Sequence, residues 1–319
     1  LKQESNAIVV DEYLGSGGML TDAITSVGGS MSSNYVSASA MIDRVIQSDS
    51  GVGTKLIGNL EAIYDMAMDG NGRAELALKQ LIGEESLSAI NASVDTAMQV
   101  SNAQGQRMNQ LYDASQAPAS GSGDALNRVW LGGFGNWVRQ KDSGNVYGYD
   151  YDATGVILGY DREVESLPGL TLGFSGAWSS GELKNNDGFT KTDVDTFSLG
   201  LYGLYEFSNN FFIEGNVNYS HTENDADTKL VLGGKKKGEF DSNTWQMGLN
   251  LGYTHYFTPQ TRLIPSIGVQ YIHVKQDSWR EKVTSDPNGL AIANWYGEVK
   301  NDFVEFPVKL RLNTTIEAG

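Results

Sequence analysis

From Leu170 to Ser179 two kinds of residue take alternate places. Leu170, Leu172, Phe174, Gly176 and Trp178 hold the even positions, and Thr171, Gly173, Ser175, Ala177 and Ser179 the odd ones. In an extended strand these sets lie on opposite faces. The division recurs along the chain. Phe197, Leu199, Leu201, Tyr205 and Phe207 stand against Thr196, Ser198, Gly200, Tyr202 and Glu206. Ile213, Val217 and Tyr219 oppose Glu214, Asn216, Asn218 and Ser220. Trp245, Met247, Leu249, Leu251 and Tyr253 oppose Thr244, Gln246, Gly248, Asn250 and Thr254. Ile267, Val269 and Tyr271 face away from Ser266, Gly268 and Gln270. Val304, Phe306, Val308, Leu310 and Leu312 oppose Glu305, Lys309 and Arg311, and Val156, Leu158 and Tyr160 form a further set. Val129–Trp137 has apolar groups on both faces and is assigned as a strand by its position and aromatics. The pattern predicts eight strands, most of about ten residues, the length that crosses a bilayer core at a tilt.

Upstream the period changes from two to that of a helix. Met41, Ile42, Val45 and Ile46 predict a helix over Ala38–Gln47, and Leu56, Ile57, Leu60, Ile63, Tyr64 and Ala67 one over Thr54–Met68. Leu76, Leu78, Leu81 and Ile82 predict a third over Ala74–Ile82, with Gly51, Gly53, Gly70, Gly72 and Gly83 as stops. A fourth, Glu84–Asp113, has only the narrow stripe Leu87, Ile90, Val94 and Met98 in a setting of Ser, Asn, Gln, Ala and Asp. A helix so polar gains little from an ordinary core. It is either a solvated surface helix or one enclosed by a wet, polar wall. Residues 1–33 read as loop, and Ala117–Gly123 is a linker of small residues and one proline.

The connections alternate in length. Glu163–Gly169, Ser208–Asn210 and Thr258–Gln260 are short; 140–149, 180–193, 222–243 and 276–300 are long and hold most of the charge. Short turns on one side and long loops on the other belong to an outer-membrane barrel, whose apolar strand faces meet lipid between aromatic girdles. A soluble sandwich with its apolar faces in a core has the same periodicity, so alternation alone does not separate the two.

Composition narrows the function. The 319 residues carry 23 Lys and Arg against 39 Asp and Glu, a net charge of −16, which argues against a nucleic-acid binder. With no cysteine there is no disulfide framework, thiolate metal site or cysteine nucleophile. No apolar run is long enough for a transmembrane helix. The three histidines, His221, His255 and His273, lack zinc-ligand spacing. There is no Gly-x-Ser-x-Gly elbow, and Gly51-Val52-Gly53-Thr54-Lys55 is not a phosphate-binding loop. Asp150/Asp152, Asp193/Asp195 and Asp225/Asp227 have no EF-hand register. Lys235-Lys236-Lys237 reads as a solvated hairpin tip that could meet lipopolysaccharide phosphate. No catalytic residue, metal site or cofactor is expected.

One ordered set of segments resembles a known family. Leu78–Leu87 (LKQLIGEESL) leads into the long polar helix with Arg107; a small-residue linker follows, and Arg128–Trp137 (RVWLGGFGNW) opens the alternating strands. This is similar to the autotransporter β-domain of type V secretion. The resemblance covers roughly 34–319 and rests on the order of the segments. It implies an all-β transmembrane antiparallel barrel preceded by helices, one of them in the lumen. Residues 1–33 would be a passenger remnant or loop, 34–83 a helical junction, 84–127 the lumen helix and linker, and 128–319 the barrel. The family has twelve strands, so about eight of them are expected here, in a chain cut at both ends; a closed eight-stranded barrel is the competing reading. Lumen-facing candidates are Tyr202, Glu206, Glu214, Asn216, Asn218, Gln246, Asn250, Gln270, Glu305, Lys309 and Arg311. Lipid-facing candidates are Leu172, Phe174, Trp178, Phe197, Leu199, Leu201, Trp245, Leu249, Leu251, Val308 and Leu310. The implied function is non-enzymatic: anchoring and exporting an N-terminal, covalently linked passenger at the bacterial outer membrane. The implied partners are outer-membrane lipid and lipopolysaccharide, barrel-assembly machinery and periplasmic chaperones. Another outer-membrane barrel, porin or adhesin, and a soluble β-rich binding module are the alternatives.

Overall fold

The computed structural model describes residues 51–69, 73–83, 88–115, 127–142, 147–258 and 260–314. The helix expected over Ala38–Gln47, the loop over 1–33 and the linker at 117–123 lie outside them. Three helices come first: α1 (Gly51–Met68), α2 (Ala74–Ile82) and α3 (Ser88–Ser115). Helices α1 and α2 lie in contact, and the apolar side chains Leu56, Leu60, Ile63, Leu76 and Leu78 that they carry at helical spacing are all buried. Helix α2 ends at Gly83, whose φ of 75° is the left-handed conformation that closes a helix; a Cβ there would meet the Tyr296 ring. Gly51 and Gly53, read as stops, instead lie in the first turn of α1.

Most of the rest is one antiparallel sheet that curls into a half-barrel, beside a separate two-stranded antiparallel ribbon. Its long strands are β1 (Asn127–Gln140), β2 (Tyr149–Glu163), β3 (Leu170–Asn185), β4 (Thr190–Glu206), β5 (Phe211–Lys229), β6 (Lys235–Tyr253) and β8 (Thr261–Gln276). The dipeptide strand β7 (His255–Tyr256) pairs with the start of β8. Short strands β9 (Trp279–Arg280), β10 (Lys282–Ser285) and β11 (Trp295–Tyr296) follow. The eighth position is shared by β12 (Val299–Glu305) and β13 (Val308–Thr314), both on β8. The single strand expected there is broken at Phe306-Pro307, because proline has no N–H for the ladder. Each long strand pairs with its sequence neighbour, so β1 and the β12/β13 pair are the two edges. The turn between β4 and β5 is tight enough to need Asn210 at φ 68°.

The strands are longer than expected. They run to 19 residues in β5 and β6 because much of the expected loops 180–193 and 222–243 is ladder. The convex face changes from charged to apolar along the long strands. On β4 the convex face reads Lys191, Asp193, Asp195 and then Phe197, Leu199, Leu201, while the concave face goes from Thr192 and Val194 to Thr196 and Ser198. The same step occurs on β5 between Glu223 and Tyr219, and on β6 between Asp241 and Trp245. A strand that leaves an apolar medium for water must change its outward face in this way while its other face stays packed on protein.

Every lipid-facing candidate is exposed on the convex face. Tyr219 lies 5.1 Å from Trp245 and Tyr160 5.6 Å from Phe174, aromatic pairs near the two ends of the apolar band. Among the described residues no second sheet covers this face, which removes the sandwich reading. A continuous apolar surface of this size calls for a partner medium.

Candidate functional site

Helix α3 lies along the concave face and touches strands from β1 to β8. At about 1.5 Å per residue its 28 residues extend for roughly 42 Å. Ala92, Ser93, Thr96, Ala97, Val100, Ser101, Gln104 and Met108 are buried against the sheet. Asn91, Asn102, Gln106 and Gln110 make a stripe on its other side that is exposed among the described residues.

Halfway along, four amides close a ring. Gln104 donates to Ser175 Oγ at 2.9 Å and Asn218 Oδ1 at 2.7 Å. Its Oε1 accepts from Asn216 at 3.0 Å and Asn218 at 2.9 Å. Gln246 accepts from Asn218 at 2.6 Å and donates to Asn216 at 3.2 Å. Asn216 also donates to Ser101 Oγ at 2.8 Å. Every donor and acceptor position of the buried Gln104 amide is used, which offsets the cost of burying it. The helix comes this close because strand β4 has glycine at position 200. A Cβ there would collide with Asn218 Oδ1 and Gln104 Nε2.

The second polar focus is Asp161 on β2, with no exposed surface. Arg107 of α3 grips it through Nε at 2.7 Å and Nη2 at 3.1 Å, and Arg128 of β1 donates at 2.7 Å. Tyr202 donates its hydroxyl to the same carboxylate at 3.1 Å and accepts from Trp130 Nε1 at 2.5 Å. One residue thus fastens the helix to the first strand of the sheet. At the C-terminal end of α3, Asp113 accepts from Arg262 at 2.8 Å, Asn313 at 2.9 Å and Arg311 at 3.4 Å. Tyr112 shares a 2.6 Å hydrogen bond with Thr254.

Elsewhere along the helix the contact is apolar. Met108, Leu111 and Tyr112 pack with Tyr202, Leu204, Phe212 and Ile264 at one end. Ala92 packs with Tyr149, Tyr151, Leu183 and Val194 at the other. The wall around α3 is therefore a polar ring between two apolar seats, in contrast to the uniformly wet wall expected of so polar a helix. Trp130 and Phe134, the apolar residues that blurred the β1 pattern, lie on this face over the glycines of β2 and beside Val100 and Ala103.

The lumen-facing candidates all share the concave parity, and the structure divides them by contact. Asn216, Asn218 and Gln246 form the ring; Tyr202 joins Asp161, and Arg311 joins Asp113. Glu214 is buried beside α3 without a hydrogen bond at Oε1, and Gln270 has none at Nε2. Glu206 shares the concave face at the end of β4. Asn250, Glu305 and Lys309 have no hydrogen bond to α3 among the described residues. Asp161, Gln104, Arg128, Ser175 and Thr254 were missed. For Asp161 the signal was parity: it falls opposite Val156, Leu158 and Tyr160, on the face of Ile157.

At the end of the sheet where the β5–β6 hairpin turns, α1 and α2 meet the segment 277–298. Lys55 pairs with Asp286 at 2.8 Å, and Asn59 donates to Leu290 O at 2.7 Å. Gln80 donates to Lys229 O at 2.8 Å and accepts from Val231 N at 2.9 Å. Trp279 stacks between Phe240 and Tyr296, 4.4 and 4.2 Å away. Lys236, expected at a solvated tip, is instead buried and paired with Glu281 at 2.9 Å, because it has the concave parity of β6.

Comparisons with known proteins agree with this architecture. The family described as "Autotransporter beta-domain" matches residues 129–317, more than half the chain. Outer membrane protein A of Rickettsia conorii is 27% identical over 218 residues, 64% of this chain and 11% of that protein. A protein of Salmonella typhimurium described as "Uncharacterized protein YaiT" is 32% identical over 126 residues, 39% of this chain and 12% of that protein. The chain thus spans about a tenth of the curated relatives it matches. Among solved structures, the translocator domain of autotransporter NalP from Neisseria meningitidis superposes with a TM-score of 0.54 at 15% identity. That match covers 68% of this chain and 71% of the other, and it concerns the fold alone. Uncovered apolar strands outside, a seated helix inside and the family match lead to one conclusion: this chain belongs to the autotransporter β-domain family and is a translocator domain of the bacterial outer membrane.

Proposed function

We propose that this domain anchors and exports a passenger joined covalently to its N-terminal side, with α3 as the lumen helix that carries the connection. The observation behind this is the Gln104–Asn216–Asn218–Gln246 ring, which gives a polar helix a fitted place on the concave wall. In this reading residues 84–127 are the lumen helix and linker, 34–83 the junction at the outer mouth and 128–319 the barrel domain. The concave residues Tyr202, Glu206, Glu214, Asn216, Asn218, Gln246, Asn250, Gln270, Glu305, Lys309 and Arg311 line the lumen. Leu172, Phe174, Trp178, Phe197, Leu199, Leu201, Trp245, Leu249, Leu251, Val308 and Leu310 face lipid. The domain does no covalent chemistry of its own. Barrel-assembly machinery and periplasmic chaperones deliver it, since an apolar convex face cannot cross the periplasm unattended.

The test is display. An epitope fused before Leu1 of the full-length protein is expected at the surface of intact cells, where added protease removes it. The barrel is expected to migrate as a folded band that shifts on heating. An epitope protected in intact cells, beside a folded barrel in the outer membrane, would overturn the export reading.

A further inference from the structure

A groove of about 720 Å3 opens on the convex side of the sheet between the tips of the β3–β4 and β5–β6 hairpins. Lys184, Lys191, Lys229, Lys235 and Lys237 line it against Asp150 and Asp227, five positive charges to two negative, in a chain of net charge −16. Some of these lysines have internal partners: Lys184 and Lys191 share Glu182, and Lys237 holds Asp227 at 3.2 Å. Lys229 and Lys235 differ. They stand directly opposite each other at the end of the β5–β6 ladder, and neither has an ion pair among the described residues. Like charges directly opposite across a ladder destabilise it. An anion bound between them would turn that repulsion into attraction.

Height on the strand selects the anion. Lys191 lies six residues beyond Phe197, Lys237 eight beyond Trp245, and Lys229 and Lys235 ten beyond Tyr219 and Trp245. At about 3.4 Å per residue and a tilt of about 40°, the lysines stand roughly 15–26 Å above the apolar band. Two rows of like charge, Asp193–Asp225–Glu239 and Asp195–Glu223–Asp241, fill the interval and repel phosphates at the lipid boundary. The groove therefore meets anions carried well above the acyl chains. Its volume suits a short sugar better than a lone phosphate.

We propose that this groove binds a phosphorylated sugar of the lipopolysaccharide core. This rests on the translocator reading, which turns these hairpins outward. The probe is the soluble phosphorylated core oligosaccharide, titrated into the full-length protein in detergent. Binding is expected to weaken about fivefold or more in Lys229→Gln/Lys235→Gln, as for the loss of two partly exposed ion pairs, and to fall as salt rises. The dephosphorylated oligosaccharide is expected not to bind. Arg162→Gln/Lys300→Gln removes as much charge elsewhere and is expected to leave binding unchanged. Unchanged binding in the groove variant, equal loss in the control, or equal binding of the dephosphorylated sugar would each overturn the proposal. Competition by inorganic pyrophosphate as effective as by the oligosaccharide would overturn the sugar assignment. Each variant is read only after its heat-shifted band shows folding, and Lys235→Gln alone replaces the double variant if that fails to fold. Because the probe is soluble and the surface is read in detergent, this result and the display result fail separately.

Discussion

Gln104 shows how little a single residue announces its role. It lies in a run of Ser, Asn and Gln in which nothing marks it out, yet its amide hydrogen-bonds to both β3 and β5 and closes over Gly200 of β4. Replacing it with alanine leaves the carboxamides of Asn216 and Asn218 short of partners. Each buried group so orphaned costs about 1–3 kcal/mol. Gln104→Ala is expected to lower the temperature at which the folded band is lost, and Gly200→Ala to do the same by pushing Asn218 and Gln104 aside. Since both changes act on one contact, the double variant should lose less than the sum of the two; strict additivity would show that the ring does not seat the helix. Asp161 has sharper consequences. Asp161→Asn keeps the shape and removes the charge that Arg107 and Arg128 share. The expected loss is about 3 kcal/mol in a denaturant titration, as for breaking a buried pair from one side. Parity could have placed Asp161 on the concave face, whereas its two arginines come from segments separated by the linker, a tertiary fact that no local pattern holds.

At the scale of elements, period carried most of the information. Helix α2 falls at Ala74–Ile82 as its spacing predicts, and the short turns fall where expected. Most of the differences on the strands have one cause. An apolar face marks a strand only as far as the apolar band reaches, whereas the ladder runs on with a charged outer face, so the core residues Val194, Leu183 and Phe240 fall in segments that read as loop. The segment 277–298 was equally illegible, because its order comes from packing on α1 and α2 and not from its own pattern. Its tie to α1 depends on pH. The Lys55 ammonium, with the backbone N–H of Ala291, holds the Asp286 carboxyl below the usual carboxylate range. Folding thus favours the ionised form. Its contribution is whole above the ordinary carboxylate pKa of about 3.9 and is lost as pH falls through the lower folded value. Hydrogen exchange of α1, corrected for intrinsic rates, is expected to accelerate between about pH 6 and about pH 2.5, and Lys55→Gln to blunt that change. Equal pH sensitivity in the variant would show that the tie is idle.

For the molecule as a whole, the decisive feature is where the convex face changes from charge to apolar, since that line sets the depth of the domain in the membrane. On β4 the change falls between Asp195 and Phe197. These 319 residues hold no cysteine, so single cysteines report on each position without a background signal once any cysteine elsewhere in the full-length protein is replaced by serine. Nitroxides are placed at Asp193, Asp195, Phe197, Leu199 and Leu201 in the full-length protein reconstituted in vesicles. The last three are expected to collide with oxygen, which concentrates in the acyl layer, and to escape a polar nickel chelate. Labels at Asp193 and Asp195 should show the opposite preference. Further labels at Val194 and Ser198, which pack on the concave side, should resist both reagents and so print the period of two onto the profile. A helix-packed half-barrel held in lipid requires that crossover and that period together. If Leu199 and Leu201 met the chelate as freely as Asp193, the exposed apolar band would be facing water or protein, and the membrane depth inferred from the change of face would be wrong.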